Sequence, residues 1–170
     1  KAPTTYTKKV TENRDVVAFE IAVNENSVES YQHFISSYPD ALQINEAVKK
    51  RNALAFERVK LLDNIEGYKG FIEKYKLADE IPEAWLRIHE LAFAEVEREN
   101  TSSAYKKFID EYPKSKQYNT AYTLYEERLF IENTITGDWN SFRLFIKNYP
   151  HNSWKSAAQD SLYSIASKTQ

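Results

Sequence analysis

The chain has 170 residues, a formal net charge of -2 and no cysteine. The balanced charge provides neither a basic stripe for nucleic acid nor a polybasic patch for anionic lipid. No apolar run approaches the roughly 18 residues that cross a bilayer, and without cysteine there is no disulfide framework and no thiolate chemistry. Only three glycines and five prolines are present, which disfavours an all-β fold and long loops.

The first predicted element is a helix over residues 4–23 that has no partner helix before it. Its middle, residues 14–20, aligns with residues 51–57 at a distance of 37 residues, so that Phe19 corresponds to Phe56. Terminal repeats of helical arrays normally carry a polar outer side, so we expect this orphan helix to have an apolar face that needs cover. No signal peptide is visible, and the chain starts with Lys1 rather than Met. The orphan helix and the start at Lys1 lead us to expect more protein upstream.

A short helix, called helix A, is predicted next over residues 28–37. Its apolar residues Tyr31, Phe34, Ile35 and Tyr38 fall at i, i+3, i+4 and i+7, which is one face of an α-helix. The same residue types return every 37 residues, and this fixed interval is typical of a stacked repeat array. The recurring sets are Tyr31, Tyr68, Tyr105 and Phe142; Phe34, Phe71, Phe108 and Phe145; Ile35, Ile72, Ile109 and Ile146; Tyr38, Tyr75, Tyr112 and Tyr149; and Ala47, Ala84, Ala121 and Ala158.

Each helix A has sequence signals at both ends. The residue before it is a good N-cap in every copy, because its side-chain oxygen accepts from free backbone N–H groups of the first turn. In three copies the helix is followed by Tyr-Pro, which disfavours continuation, and the second copy is expected to turn at Leu77-Ala78. A longer helix B, with the small Ala47-type residue where its partner crosses, is predicted after each turn. The caps are Ser27, Asn64, Thr101 and Asp138, and the helices B are predicted over residues 41–60, 78–97, 115–132 and 152–167.

These elements predict an all-α fold, an α-solenoid of antiparallel helix pairs. It has nine helices, a 37-residue repeat and a right-handed superhelix. The whole chain, residues 1–170, is expected to form one domain. Ser167 stands where the other helices B have phenylalanine, so the last helix is interpreted as a polar cap. The predicted parts are the orphan helix over 4–23 and four repeats over 27–63, 64–100, 101–137 and 138–170.

The anchors and their interval resemble tetratricopeptide-type repeats. They look most like the subgroup in bacterial envelope and outer-membrane lipoproteins, whose helix A ends in F-I-x-x-Y-P-x-S; residues 108–115 match this string fully. The resemblance implies a periplasmic or outer-membrane-associated protein that binds a peptide or partner protein in a groove lined by helix A. It assigns the groove to Glu29, Gln32, Ser36, Glu66, Lys69, Glu73, Ser103, Lys106, Asp110, Asn140, Arg143 and Lys147. A solvated helix face is the competing interpretation of these residues.

Signals for catalysis or cofactors are absent from the sequence. His33, His89 and His151 occupy different positions in different copies, and neither an HExxH spacing nor a glycine-rich phosphate loop occurs. We therefore expect no enzyme activity, no catalytic residue, no metal and no cofactor. Trp85 and Trp139 stand at positions that are aliphatic or aromatic in other copies, which predicts core packing, and Trp154 is expected to pack near the C-terminal end.

Three functions remain open at this level. The first is a scaffold for a protein or peptide partner, with no nucleic acid partner and no membrane insertion of this segment. The second is a structural spacer in a larger envelope protein, and the third is a glycan-binding module that uses Trp and Tyr. A scaffold should display a contiguous exposed patch of aromatic or like-charged residues, whereas a spacer should not. Partner identity and oligomeric state are not specified by the sequence.

Overall fold

The computed structural model describes residues 5–168, and this part of the chain is all-helical and repeat-like, without a strand. Nine helices occur in this range, as the sequence predicts. Residue 4, the first of the predicted orphan helix, lies outside the described residues. The helices are α1 (Thr5–Glu25), α2 (Val28–Ser37), α3 (Ile44–Leu62), α4 (Ile65–Lys74), α5 (Ile81–Glu99), α6 (Ser102–Glu111), α7 (Tyr118–Asn133), α8 (Trp139–Asn148) and α9 (Lys155–Lys168).

The four helices A are α2, α4, α6 and α8, and each is ten residues long. All four predicted N-caps are confirmed, because each cap side chain accepts from the backbone N–H three residues later. Each helix ends at a tyrosine, whose own N–H donates to the carbonyl of the buried phenylalanine four residues before it. In the second copy this is Tyr75, so that helix ends before the turn predicted at Leu77-Ala78. The cap bonds confirm the register, because their backbone N–H donors stand at the same repeat position in every copy. These donors are Ser30, Gly67, Ala104 and Ser141.

A left-handed residue precedes each N-cap and starts the turn from helix B into helix A. Three copies use Asn26, Asp63 or Asn100 here, with φ of 43°, 43° and 52°. Each of these side chains accepts from the hydroxyl of the tyrosine five residues later, at 3.4, 3.1 and 3.3 Å. The fourth copy has Gly137 at φ 64° and Phe142 five residues later, so both partners of the bond are replaced together.

Helices B begin about three residues later than the sequence predicts. The residues at the predicted starts lie instead in a turn, where the N–H of Ala41 donates to the carbonyl of Tyr38 at 3.1 Å and the N–H of Ile44 to that of Ala41 at 3.2 Å. The same two bonds recur in the other three copies. The predicted starts were therefore wrong: the backbone bonds of this turn span three residues, whereas those of an α-helix span four.

The buried core is built from the recurring side chains. The Ala47-type residue is 0% exposed in all four copies, and the phenylalanine of helix A is 1 or 2% exposed. A residue as small as alanine lets the two helices of a pair approach closely, while each buried phenylalanine contributes about 2 kcal/mol through removal from water. Helices α2 and α3, α6 and α7, and α8 and α9 pack as pairs on this basis.

Packing contacts group the chain into two compact units, Lys1–Ile88 (unit 1) and His89–Gln170 (unit 2). In unit 1, α1 packs on α2 through Ala22 and Phe19. Its other side leaves Val10, Val17 and Ile21 52 to 55% exposed. The apolar face predicted for the orphan helix is therefore present. What covers it stays a prediction.

Candidate functional site

The predicted groove residues lie on the surface of their helices. All twelve are exposed, on the side of helix A opposite the buried phenylalanine and tyrosine stripe. None of them therefore serves the core of its unit, and each is accessible to a partner or to water. The structure places three on each helix A: Glu29, Gln32 and Ser36 on α2; Glu66, Lys69 and Glu73 on α4; Ser103, Lys106 and Asp110 on α6; and Asn140, Arg143 and Lys147 on α8.

In unit 1, arginines from α3 connect to the exposed face of α2. Both guanidinium N–H groups of Arg58 donate to the Glu29 carboxylate, at 2.7 and 2.8 Å. This hydrogen-bonded cation lowers the pKa of Glu29 from the ordinary 4.5 to about 2. Arg51 donates to Gln32 at 2.8 Å, and Gln32 donates to Ser36 at 3.1 Å. The face of α2 is thus a bonded network rather than a row of separate side chains.

Two arginines in unit 1 also cover the tyrosines that end helix A. The guanidinium of Arg14 lies 5.1 Å from the ring centre of Tyr38, and that of Arg51 lies 5.1 Å from the ring centre of Tyr75. Each arginine donates to the residue after it, which is buried Asp15 in the first case and buried Asn52 in the second. Sequence analysis did not assign these arginines a role, although their 37-residue spacing was visible.

Beside Arg14 and Tyr38, unit 1 contains a cavity of about 740 Å³ between the middle of α1 and the turn from α2 to α3. Its lining includes Asp15, whose carboxylate is already paired with Arg14 at 2.6 Å. It also includes Leu42, which is 84% exposed. The cavity therefore combines an exposed apolar side chain with an internally neutralised ion pair.

In unit 2, the exposed faces of α6 and α8 differ in charge. The ammonium of Lys106 donates to both oxygens of Asp110 at 2.5 and 2.6 Å, which raises the pKa of Lys106 and makes this pair neutral. Arg143 donates to Asn140 at 3.0 Å and lies over the Trp139 ring. Lys147 has no ion pair among residues 5–168. The face of α8 is therefore basic.

A row of three tyrosines on α7 lies beside the Lys106–Asp110 pair. Ring centres of Tyr118 and Tyr122 are 6.4 Å apart, and those of Tyr122 and Tyr125 are 6.2 Å apart. Tyr122 is 44% exposed, and its two neighbours are half-buried. Both charged groups of the pair interact electrostatically with Tyr125. Sequence analysis missed this row, although its i, i+4, i+7 spacing was available as a signal.

The three tryptophans all keep part of their surface exposed. Trp154 stacks on Phe130 with ring centres 5.3 Å apart and planes 16° apart, which confirms its predicted packing, and 36% of the residue stays exposed. The prediction of core positions was wrong for Trp85 and Trp139, which are 41% and 49% exposed. Repeat equivalence failed here because a bulky ring at an aliphatic position extends beyond the space that a smaller side chain fills.

The three histidines lie in different environments. His89 packs edge-on to Tyr112 at 5.3 Å, where burial lowers the pKa of the imidazole. His33 and His151 are exposed on other helices or turns. Within residues 5–168, three or more potential metal ligands do not come together, and no helix is long and apolar enough to cross a membrane.

Comparison with protein-family models gives no match for this chain, and neither does comparison with curated proteins. The candidate binding surfaces of the chain are therefore the exposed faces of helices A and the neighbouring tyrosine row. Both are surfaces rather than enclosed chambers, and they present hydrogen-bonding groups, charges and ring faces to a ligand.

Proposed function

We propose that the chain is a non-enzymatic protein-interaction scaffold that binds a peptide or partner protein through the exposed faces of its helices A. In this proposal the 37-residue helix pairs stack as a tetratricopeptide-like α-solenoid with a right-handed superhelix. The protein belongs to the bacterial cell envelope, in the periplasm or associated with the outer membrane. The compartment rests on the resemblance of residues 108–115 to the envelope subgroup.

The observation that carries the proposal is that each helix A has one buried side and one exposed side. One side supplies the buried aromatic stripe, and the other presents the exposed predicted residues in all four copies. Because these residues have no core duty, a partner can contact them, exchanging surface bonds such as Arg58–Glu29 for its own. The charges also differ along the chain: α2 and α4 present Glu29, Glu66 and Glu73, whereas α8 presents Arg143 and Lys147. Such differences favour a particular partner and orientation, because complementary potentials steer association and fix register.

The spacer alternative is less well supported. A spacer should lack a contiguous exposed aromatic patch, yet Tyr118, Tyr122 and Tyr125 form a continuous row on α7 with ring centres 6.2 to 6.4 Å apart, in which Tyr122 is exposed and its neighbours are half-buried. The patch borders Lys106, one of the predicted binding residues.

The test uses charge reversal on one face with a matched reversal elsewhere. The binding-face variant is Arg143→Glu with Lys147→Glu on α8. The control is Lys107→Glu with Lys114→Glu, which reverses two exposed cations of the same unit that are not among the predicted groove residues. Both variants change the net charge equally, so a non-specific electrostatic effect appears in both.

Each protein is immobilised and used to isolate partners from a solubilised bacterial envelope fraction. Every candidate is then purified and titrated by calorimetry. We expect a defined partner to bind the wild type and the control, and to lose affinity at least tenfold with the binding-face variant, as for truncation of an interface anchor. Absence of a saturable partner, or equal affinity for the two variants, contradicts the proposal.

A further inference from the structure

The tyrosine row of unit 2, Tyr118, Tyr122 and Tyr125, presents its central ring to solvent, while its outer members are half-buried and Tyr125 also packs against the core cluster around Leu129 and Phe145. Consecutive members are one helical turn apart, so the row extends about 10 Å along the helix. Tyr122, at the centre of the row, is 44% exposed. The first repeat has the smaller, aliphatic Val48 at the equivalent position of α3. A tyrosine suits such a surface, because its ring can pack against apolar groups while its hydroxyl stays in contact with water.

The polar border of the row is electrically neutral. Lys106 and Asp110 form a close ion pair at 2.5 and 2.6 Å, and both interact electrostatically with the Tyr125 hydroxyl. Lys106 also interacts with Tyr118. Because the pair has no net charge, a strongly acidic or basic ligand gains little charge complementarity at this border. Burial raises the pKa of Tyr125, so its hydroxyl stays protonated at neutral pH and can donate or accept.

The chemistry of this surface favours a ligand with one C–H face and many hydroxyl groups. The ring faces offer apolar contact, while three phenol hydroxyls, a carboxylate and an ammonium offer donors and acceptors at the border. An extended peptide is less well matched. The backbone N–H and C=O groups inside a helix are already hydrogen-bonded to each other, so they cannot bond to the main chain of a peptide as the edge of a β-sheet does. A neutral saccharide supplies both kinds of contact from a single ring.

We propose that the tyrosine row and the Lys106–Asp110 pair form a binding site for a neutral saccharide, with one pyranose ring stacked on Tyr122. Hydroxyls of the sugar bond to the Asp110 carboxylate, the Lys106 ammonium and the phenol groups of Tyr118 and Tyr125. The site goes beyond the proposed scaffold function, since its ligand belongs to another chemical class and its main contact lies on a helix B.

The experiment titrates the complete chain with four neutral hexasaccharides, the hexamers of β-1,4-glucose, α-1,4-glucose, β-1,4-xylose and β-1,4-N-acetylglucosamine. Calorimetry gives the affinity, and amide chemical shifts identify the residues that respond. Tyr122→Ala is the test variant, Tyr122→Phe retains the ring, and Tyr163→Ala removes an exposed tyrosine from α9 as the matched control. Far-UV circular dichroism verifies that every variant is folded.

We expect at least one hexasaccharide to bind with shifts centred on residues 106–125. Tyr122→Ala should weaken binding about tenfold, the loss of one stacked ring, while Tyr122→Phe and Tyr163→Ala stay within about threefold of the wild type. The inference is overturned if all four sugars fail to bind at millimolar concentration. It is overturned equally if Tyr122→Ala binds like Tyr163→Ala, or if the same residues bind a neutral peptide library and no sugar. None of these results affects the charge-reversal test of the scaffold function.

Discussion

Converting the third repeat into the fourth tests the bond between the left-handed turn and helix A. The hydroxyl of Tyr105 donates to Asn100 at 3.3 Å, whereas the fourth repeat has Gly137 and Phe142 at these two positions. The perturbation is therefore Asn100→Gly, Tyr105→Phe and the double variant. Neither change enlarges a side chain, so no steric clash is introduced.

The magnitude follows from the geometry of the bond. A distance of 3.3 Å is long for an O–H···O bond, so its net contribution should lie near the low end, about 0.5–1 kcal/mol. Tyr105→Phe loses this amount. Asn100→Gly loses the same bond and has two further effects of opposite sign. Glycine adopts the left-handed φ of 52° more easily, which stabilises the folded state, but it also raises the entropy of the unfolded state, which destabilises the fold. Because the bond can be lost only once, the double variant should lose about 0.5–1 kcal/mol less than the sum of the single variants.

The assay is urea unfolding at 25 °C and neutral pH, followed by circular dichroism and fitted with a common m-value. Burial raises the pKa of Tyr105, so its hydroxyl remains a donor under these conditions. Additivity within about 0.3 kcal/mol would refute the reasoning, since two partners of one bond must be coupled.

Three further predictions test other links between residues and stability. The pKa of Glu29 is lowered to about 2, so the stabilisation from its pair with Arg58 is present above the ordinary 4.5 and is lost as pH falls toward 2. Glu29→Gln should therefore differ from the wild type in urea midpoint at pH 7 and converge with it near pH 2; a constant difference contradicts this. Ala121→Leu should destabilise unit 2 by about 1–3 kcal/mol in urea because the site is 0% exposed, whereas exposed Ala94→Leu should change little; equal effects contradict this. Thr101→Ala should cost about 1 kcal/mol of urea stability by removing the cap bond of α6, and no measurable loss would contradict the assigned cap role.

Local signals predicted helices A accurately because the determinants lie within a few residues of each other. Ser27 caps through Ser30, and Tyr38 ends the helix by donating to Phe34, so both bonds are encoded within four positions. The interval of 37 residues then transferred this information to the other copies. The same locality explains the error at helix B, where the turn at Ala41 and a first helical turn have indistinguishable residue preferences.

The surface was harder to predict because its contacts join distant residues. Arg58 reaches Glu29 from 29 positions away, and Arg51 reaches Gln32 from 19 positions away. Long arginine side chains have many accessible conformations, so their partners follow from packing rather than from sequence interval. Exposure alone was predictable for the groove residues, since the opposite helix face was visibly apolar.

The central claim is that each helix A buries an equivalent phenylalanine, so that its opposite face carries no core side chain. Alanine substitution of the helix-A phenylalanine in each repeat, compared with His33→Ala at an exposed position, tests it most directly. The four variants are Phe34→Ala, Phe71→Ala, Phe108→Ala and Phe145→Ala. Urea unfolding should show a loss of about 3–5 kcal/mol for every one of them and almost none for the histidine variant. A loss below about 1 kcal/mol in any repeat would contradict the claim.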